Sequence, residues 1–275
     1  MGASEKATPV SVQWPLGMVR SSEIRRRLIF ALDVDSMDEA EQLIDELLPE
    51  VGLFKIGKQL FLHAGPAIVR RVRTCGGEVF LDLKFHDIPR TVAKAGVEAA
   101  RLGVKMFDVH ASGSAGMMRA TVTEVNRACR REALRKPKML AVTVLTSLSR
   151  EDLKSVGVMA GVENQVVRLA RLAKESGMDG AVASPHEVVS IRRVCGRGFT
   201  IVTPGVRLAR AGWDDQKRVM TPEEAIRAGA DYLVVGKPIR DAKSPRDAAR
   251  AIVADMERGF AAVMGRAVHP LSGRT

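Results

Sequence analysis

The sequence predicts an α/β protein, a single-domain (β/α)8 TIM barrel with its active site at the C-terminal strand ends. Three observations predict it. Eight short apolar runs, rich in Val, Ile and Phe, recur from Leu28 onward and are largely continuous rather than alternating, as parallel strands covered on both faces should be. Between them lie stretches of helical pattern, several opening on a hydroxyl residue with an acid three positions later. Seven of the eight runs then lead to a polar or charged side chain, and in this architecture the strand ends carry the chemistry.

The first run, residues 28–34, contains Asp33 and is followed by Ser36-Met-Asp-Glu39, which sets Ser at a helix N-cap and Glu at N3. The second, 53–58, carries Lys55, and the third, 78–84, carries Asp82 and Lys84. The fourth, 106–112, presents His110, and the fifth, 139–145, leads to Thr146 and then to Ser149 and Asp152. The sixth, 180–184, passes into the helix start Ser184-Pro-His-Glu187. The seventh, 199–206, meets Arg207, with Thr221-Pro-Glu-Glu224 opening the next helix, and the eighth, 232–239, holds Lys237 and precedes Ser244-Pro-Arg-Asp247. Pro at the first helical position of three of these starts is harmless, because the N–H it lacks would have had no partner.

At 275 residues and 46% apolar content the chain can bury a sizeable core. A barrel of this kind takes about 250 residues. The expected division is an N-terminal extension over 1–24, the barrel over 25–264 and a tail over 265–275. Cys75, Cys129 and Cys195 are odd in number, far apart and without a C-x-x-C pair, which argues against a disulfide framework or a zinc site and for a reducing, cytoplasmic setting. No segment reaches the roughly 18 apolar residues of a membrane span, and the N-terminal segment lacks the apolar centre of an export signal. The net charge of +11 raises nucleic acid as a partner, but the basic residues are scattered and only Arg25-Arg26-Arg27 form a block. With 4% aromatic content and a single tyrosine there is little to stack on bases, so the charge is read as a solvated surface that steers an anionic substrate.

Asp82 and Lys84 are two apart, so on an extended backbone they share a face. With Lys55 and Asp87 they make two cations and two anions, which keep one another ionised if they alternate in space. A strand end that opens into a cleft is where such charges can be held, and the set is either a reaction centre or an ion-pair network at the barrel rim. His86 falls on the face opposite Asp87 and is expected to be structural, while a general-base role for His110 stays open. A second group comprises Thr203-Pro-Gly-Val-Arg207, Asp215-Gln-Lys-Arg218 and Val235-Gly-Lys237. Loops after the seventh and eighth strands commonly hold phosphate, since glycines let backbone N–H groups approach the anion and a cation completes the grip. Residues 208–215, which include Gly212, are long enough for a mobile lid. Thr146 is expected to contact ligand and Ser149 to cap the next helix.

Together these motifs resemble the orotidine 5'-phosphate decarboxylase family. The resemblance runs from Phe30-Ala-Leu-Asp33 through Phe54-Lys-Ile-Gly57, Phe80-Leu-Asp-Leu-Lys-Phe-His-Asp-Ile-Pro89, Val144-Leu-Thr-Ser147, Thr203-Pro-Gly-Val-Arg207 and Asp215-Gln-Lys-Arg218 to Val235-Gly236. It covers nearly the whole expected barrel. It implies decarboxylation of orotidine 5'-phosphate to UMP, the last step of de novo UMP synthesis, with neither cofactor nor metal. By the same resemblance Lys84 would protonate the C6 carbanion, Asp82 would lie against the departing carboxylate, and Asp33 and Lys55 would hold the ribose, Lys55 also fixing Asp82. Asp87 and Thr91 would reach the site of a twofold partner, making the active unit a homodimer with shared sites, and Ile88 between them joins the substrate-binding set. Thr146 would contact the pyrimidine, and Arg207, Gln216, Gly236 and Lys237 the phosphate. One departure stands out: the family usually has Arg after the strand-eight Gly, where this chain has Lys237. A point donor there replaces a bidentate fork.

Two alternatives belong beside that reading. Magnesium-dependent 3-keto-gulonate 6-phosphate decarboxylases and hexulose-phosphate synthases share the D-x-K-x-x-D element, but the resemblance gives them a metal-binding Glu where this chain has Lys55, whose ammonium repels a divalent cation. A non-catalytic barrel that binds phosphorylated ligands or RNA is the other, since fold alone does not fix function.

Overall fold

The computed structural model describes residues 21–208 and 220–268. Eight strands form the barrel: β1 Leu28–Ala31, β2 Leu53–Gly57, β3 Glu78–Phe85, β4 Met106–His110, β5 Lys138–Val142, β6 Gly180–Val182, β7 Thr200–Pro204 and β8 Tyr232–Val235. Each pairs in parallel with the next, and β8 returns to β1, with Phe30 opposite Val235. Helices fill the connections, as the parallel crossovers require.

Along every strand one residue points into the barrel and the next points out toward the helices, and both are buried. The inward set is Ile29, Ala31, Leu53, Phe80, Met106, Leu140, Val202 and Val234, which pack together as one cluster with Val182 and Tyr232 against it. The outward set includes Leu28, Phe30, Phe54, Ile56, Leu81 and Phe107, which pack in the core that extends under the helices. Burial on both faces explains why the strands read as unbroken apolar runs. Fully burying such side chains contributes about 1.5–3 kcal/mol each.

The inward apolar layer also fixes where the charges go. Two residues beyond Ala31, Leu53, Phe80 and Met106 the period-2 rule places Asp33, Lys55, Asp82 and Asp108, on the same face and nearer the C-terminal mouth. The apolar layer is the floor of a charged one.

The eight strands fall where the sequence places them, but most are shorter at the C-terminal end. Residues 32–34, 143–145 and 236–239 are outside strands β1, β5 and β8, so Asp33, Thr146 and Lys237 stand on loops and helix starts rather than on ladders. Side chains that need water and ligand leave the ladder early, because an exposed backbone group finds its partner in solvent. The N-cap signals hold at Ser36, Ser149 and Thr221, and the last two form reciprocal capping boxes with Asp152 and Glu224. The Ser244 hydroxyl accepts from the Asp247 N–H at the head of the long helix Pro245–Val268. Ser184 differs, capping a short 3-10 turn, Pro185–Glu187, by accepting from the His186 N–H. Helix Ser21–Arg25 spans the expected boundary at residue 24 and buries Ile24, and the Pro245–Val268 helix runs past residue 264. Among the described residues no helix is long and apolar enough to cross a membrane.

Candidate active site

On the β1–β4 side of the mouth, four side chains alternate in sign. The Lys55 ammonium is 2.9 Å from Asp33 Oδ1 and 3.4 Å from Asp82 Oδ2, and the other Asp82 oxygen receives the Lys84 ammonium. Lys55 and Asp82 keep only 12% of their side-chain surface, Lys84 keeps 25%, and Asp33 keeps 53% at the outer end. Burial works against the charge on Lys55, but Asp82 and Asp33 outweigh it and raise its pKa above the ordinary lysine value. Burial likewise pushes the Asp82 carboxyl up, and the neighbouring Asp108 carboxyl with the charges of Lys55 and Lys84 more than reverses it. Gly57 lets this cluster close, since a Cβ there would lie 3.3 Å from Asp33 Oδ1 and 3.4 Å from Lys55 Nζ.

Lys84 itself sits in the left-handed region, at φ +50°, where a non-glycine residue is strained. The β3–β4 register shifts between Leu81 and Phe85, so the ladder is interrupted at that residue. Its N–H is satisfied by a side chain instead: Asp108 Oδ1 accepts it at 2.8 Å. Asp108 has no exposed surface. Burial, and after it the neighbouring Asp82 charge, hold its carboxyl well above the usual aspartate range. On the same face of β4, His110 stacks against His86 with ring centroids 5.5 Å apart. Burial first, then His86, Lys84 and Lys58, depress the His110 pKa, which favours its neutral form.

The other predicted residues are placed differently. Asp87 does not join the array within this chain; it is exposed, and its Oδ1 accepts the Ile88 N–H at 2.6 Å. Ile88 and Thr91 are exposed beside it, at the start of helix Pro89–Arg101. Thr146 lines a cavity of about 680 Å³ with Val144, Leu145, Leu148, Ser184 and His186. Arg207 and Lys237 are exposed, next to Gly205 and Gly236. Gly205 has φ +80°, the left-handed turn by which the chain leaves β7. A Cβ on Gly236 would approach Ala31 Cβ to 3.2 Å, so the β8 exit is packed close against β1. Gln216, Lys217, Arg218 and nearly all of the expected lid over 208–215 lie outside the described residues.

A sequence profile described as the orotidine 5'-phosphate decarboxylase / HUMPS family matches residues 26–252. The chain belongs to that family. Proteins named orotidine 5'-phosphate decarboxylase from Geotalea daltonii and Syntrophotalea carbinolica are 54% and 56% identical to it over 237 and 234 residues. These alignments cover 86% and 85% of this chain and 98% and 96% of the relatives. The crystal structure of orotidine 5'-phosphate decarboxylase from Lactobacillus acidophilus superposes with a TM-score of 0.75 at 35% identity, covering 84% of this chain and 99% of that one. The enzyme of the same name from Pyrococcus horikoshii has a TM-score of 0.66 at 24% identity, covering 83% and 98%, and supports the fold alone.

Beside this array, the residue that sequence reasoning missed is Asp108. The signal was present: in Met106-Phe-Asp-Val-His110 a carboxylate sits mid-strand in a run buried on both faces, two residues from His110 and so on its side.

Proposed function

We propose that this chain decarboxylates orotidine 5'-phosphate to UMP, the closing step of de novo UMP synthesis, with Lys84 as the proton donor and no cofactor or metal. The observation that carries the reading is the alternating array Asp33, Lys55, Asp82, Lys84, whose terminal ammonium is tethered by a buried carboxylate at the barrel mouth.

Loss of carbon dioxide from C6 of the pyrimidine leaves an electron pair in the ring plane, where the ring π system does not delocalise it. Stabilisation must come from a charge already in place. An ammonium fixed by Asp82 meets that need, and preorganised electrostatics is commonly the largest catalytic contribution. The same ammonium then transfers a proton to C6, giving UMP. Asp82 faces the substrate carboxylate and disfavours it relative to the transition state, but enzymes in general supply about 8–23 kcal/mol, more than that repulsion provides. Binding of the remote phosphate by Arg207, Gln216, Gly236 and Lys237 aligns the ring and supplies the remainder. Asp33 and Lys55 hold the ribose, and Thr146 meets the pyrimidine edge.

The active unit in this reading is a homodimer. Asp87 and Thr91 are exposed rather than joined to their own chain's array, and Ile88 beside them is 65% exposed, apolar surface that a twofold partner would cover. The working compartment is the cytoplasm, where the three free cysteines stay reduced.

Mixing the purified protein with orotidine 5'-phosphate and following the loss of ultraviolet absorbance tests the reaction. Turnover that persists in excess EDTA and disappears in Lys84→Ala is the expected result. Turnover that needs magnesium returns the chain to the sister activities.

A further inference from the structure

We propose that Asp108 is a positioning residue for this decarboxylation: buried as a neutral acid, it fixes the Lys84 backbone with one oxygen and donates its proton to Asp82 with the other. The inference rests on the decarboxylase reading for its kinetic consequence and on geometry for its structural one.

The geometry begins with strain. Lys84 occupies a left-handed conformation that costs about 1 kcal/mol or more, and such a residue persists only where its surroundings hold it. The β3–β4 ladder is broken at that point, so no strand partner takes the Lys84 N–H, and Asp108 Oδ1 accepts it instead at 2.8 Å. This bond sets the direction in which the Lys84 side chain leaves the strand.

The second oxygen decides the protonation state. Asp108 Oδ2 is buried and has no donor among the described residues. Phe80 pairs with Met106, and Asp82 and Asp108 each follow two residues on along the same inward face, so Asp82 and the hydrogen-bonded Lys84 are the charged groups that face Asp108 from β3; on β5 the register sets Leu140 beside it, and His110 follows on its own strand. A second bare carboxylate against Asp82 would be a buried like-charge pair, the arrangement in which one of two acids keeps its proton. With the proton on Oδ2, the orphaned oxygen becomes a donor and Asp82 gains a hydrogen bond that leaves its charge intact for Lys55 and Lys84. One neutral acid therefore orients both the amine and the carboxylate that meet the substrate.

The substitutions that test this are Asp108→Asn, whose amide accepts from Lys84 and donates to Asp82, and Asp108→Leu, which does neither. Asp108→Leu is expected to lower kcat about 100-fold with KM within a few-fold, as misplacement of a reacting group does. Asp108→Asn is expected to recover most of that loss. Two further readouts do not depend on turnover. The infrared spectrum of the wild type at neutral pH should contain the carbonyl stretch of a buried protonated carboxylic acid that Asp108→Asn removes. Because a raised native pKa makes the folded state bind the extra proton, the contribution of Asp108 to wild-type stability falls as pH rises above the ordinary aspartate value, whereas Asn does not titrate. The stability of Asp108→Asn relative to wild type should therefore grow from pH 4 toward pH 8. Absence of the infrared band, or a pH-independent stability difference, overturns the proposal, as does Asp108→Asn losing as much kcat as a folded Asp108→Leu. Should Asp108→Leu not fold, the Asn comparison and the infrared band decide. A wild type without decarboxylase activity but with the band and the pH dependence sinks the functional reading alone.

Discussion

The two halves of the barrel mouth are built on opposite principles. On the β1–β4 side, Asp33, Lys55, Asp82, Lys84 and Asp108 form one continuous chain of contacts, with most members largely buried. On the β5–β8 side, Thr146, Arg207 and Lys237 are exposed and make no side-chain hydrogen bond among the described residues. The cause is position. The first group sits on inward strand positions above the apolar floor, where a charge without a partner is costly, so each is held by the next. The second group sits beyond short strands in water, where a lone cation costs little. In the proposed reaction, a group that stabilises charge as it develops profits from being fixed beforehand, whereas groups that would grip a phosphate must first be open to it.

Breaking the fixed half should produce the larger effects. Lys84→Ala is expected to cut kcat by at least about 10⁴-fold, the combined scale of a lost proton donor and a lost preorganised charge, while affinity for UMP changes far less. Single-turnover absorbance and equilibrium binding measure the two quantities separately. Lys55→Ala leaves Asp33 and Asp82 without their shared cation. It is expected to lower unfolding free energy by about 3 kcal/mol in urea denaturation, the low end for a buried pair because Asp33 is half exposed.

The same variant sharpens the electrostatic contrast through pH. The Asp82 pKa is depressed on folding, so its contribution is present above the ordinary aspartate value of 3.8 and is lost as pH falls through the lower native value. Lys55 is raised, so its contribution is present below 10.5 and lost as pH climbs through the higher native value. Without Lys55 the protein should start from a lower stability at neutral pH, and both the acid and the alkaline losses should diminish. Thermal melts across the pH range report both.

Substitutions in the open half should alter binding and leave the scaffold intact. Arg207→Ala is expected to raise KM by about 10- to 100-fold, the worth of one charge-assisted bond, with stability within about 0.5 kcal/mol of wild type. An unchanged KM would remove Arg207 from the phosphate site. The smallest effect belongs to Lys237→Arg, which restores a bidentate fork and should tighten substrate affinity a few-fold. No change in affinity would mean that this position does not bear on the phosphate.

Much of this was legible before the structure. The order of eight strands, the caps at Ser149 and Thr221, and the shared face of Asp82 and Lys84 follow from local pattern, because side-chain alternation and capping chemistry act over a few residues. Strand ends were overestimated, since apolar character continues at Val144 and Ile239 after the ladder has stopped. Spacing groups Asp87 with the array, whereas within one chain it is exposed and accepts the Ile88 N–H, leaving the resemblance's reading, in which it serves a twofold partner's site, as a proposal.

By itself, then, the sequence determined the barrel and the identity of its charged groups, because a closed parallel sheet demands apolar runs and the remaining polar residues have only the mouth to occupy. Tertiary structure alone decided which carboxylate shares Lys55, that Lys84 adopts a left-handed turn, and that Asp108 lies against both. Those outcomes depend on the register between neighbouring strands and on a break in one ladder, and no local pattern in the chain encodes the meeting of residues 24 positions apart.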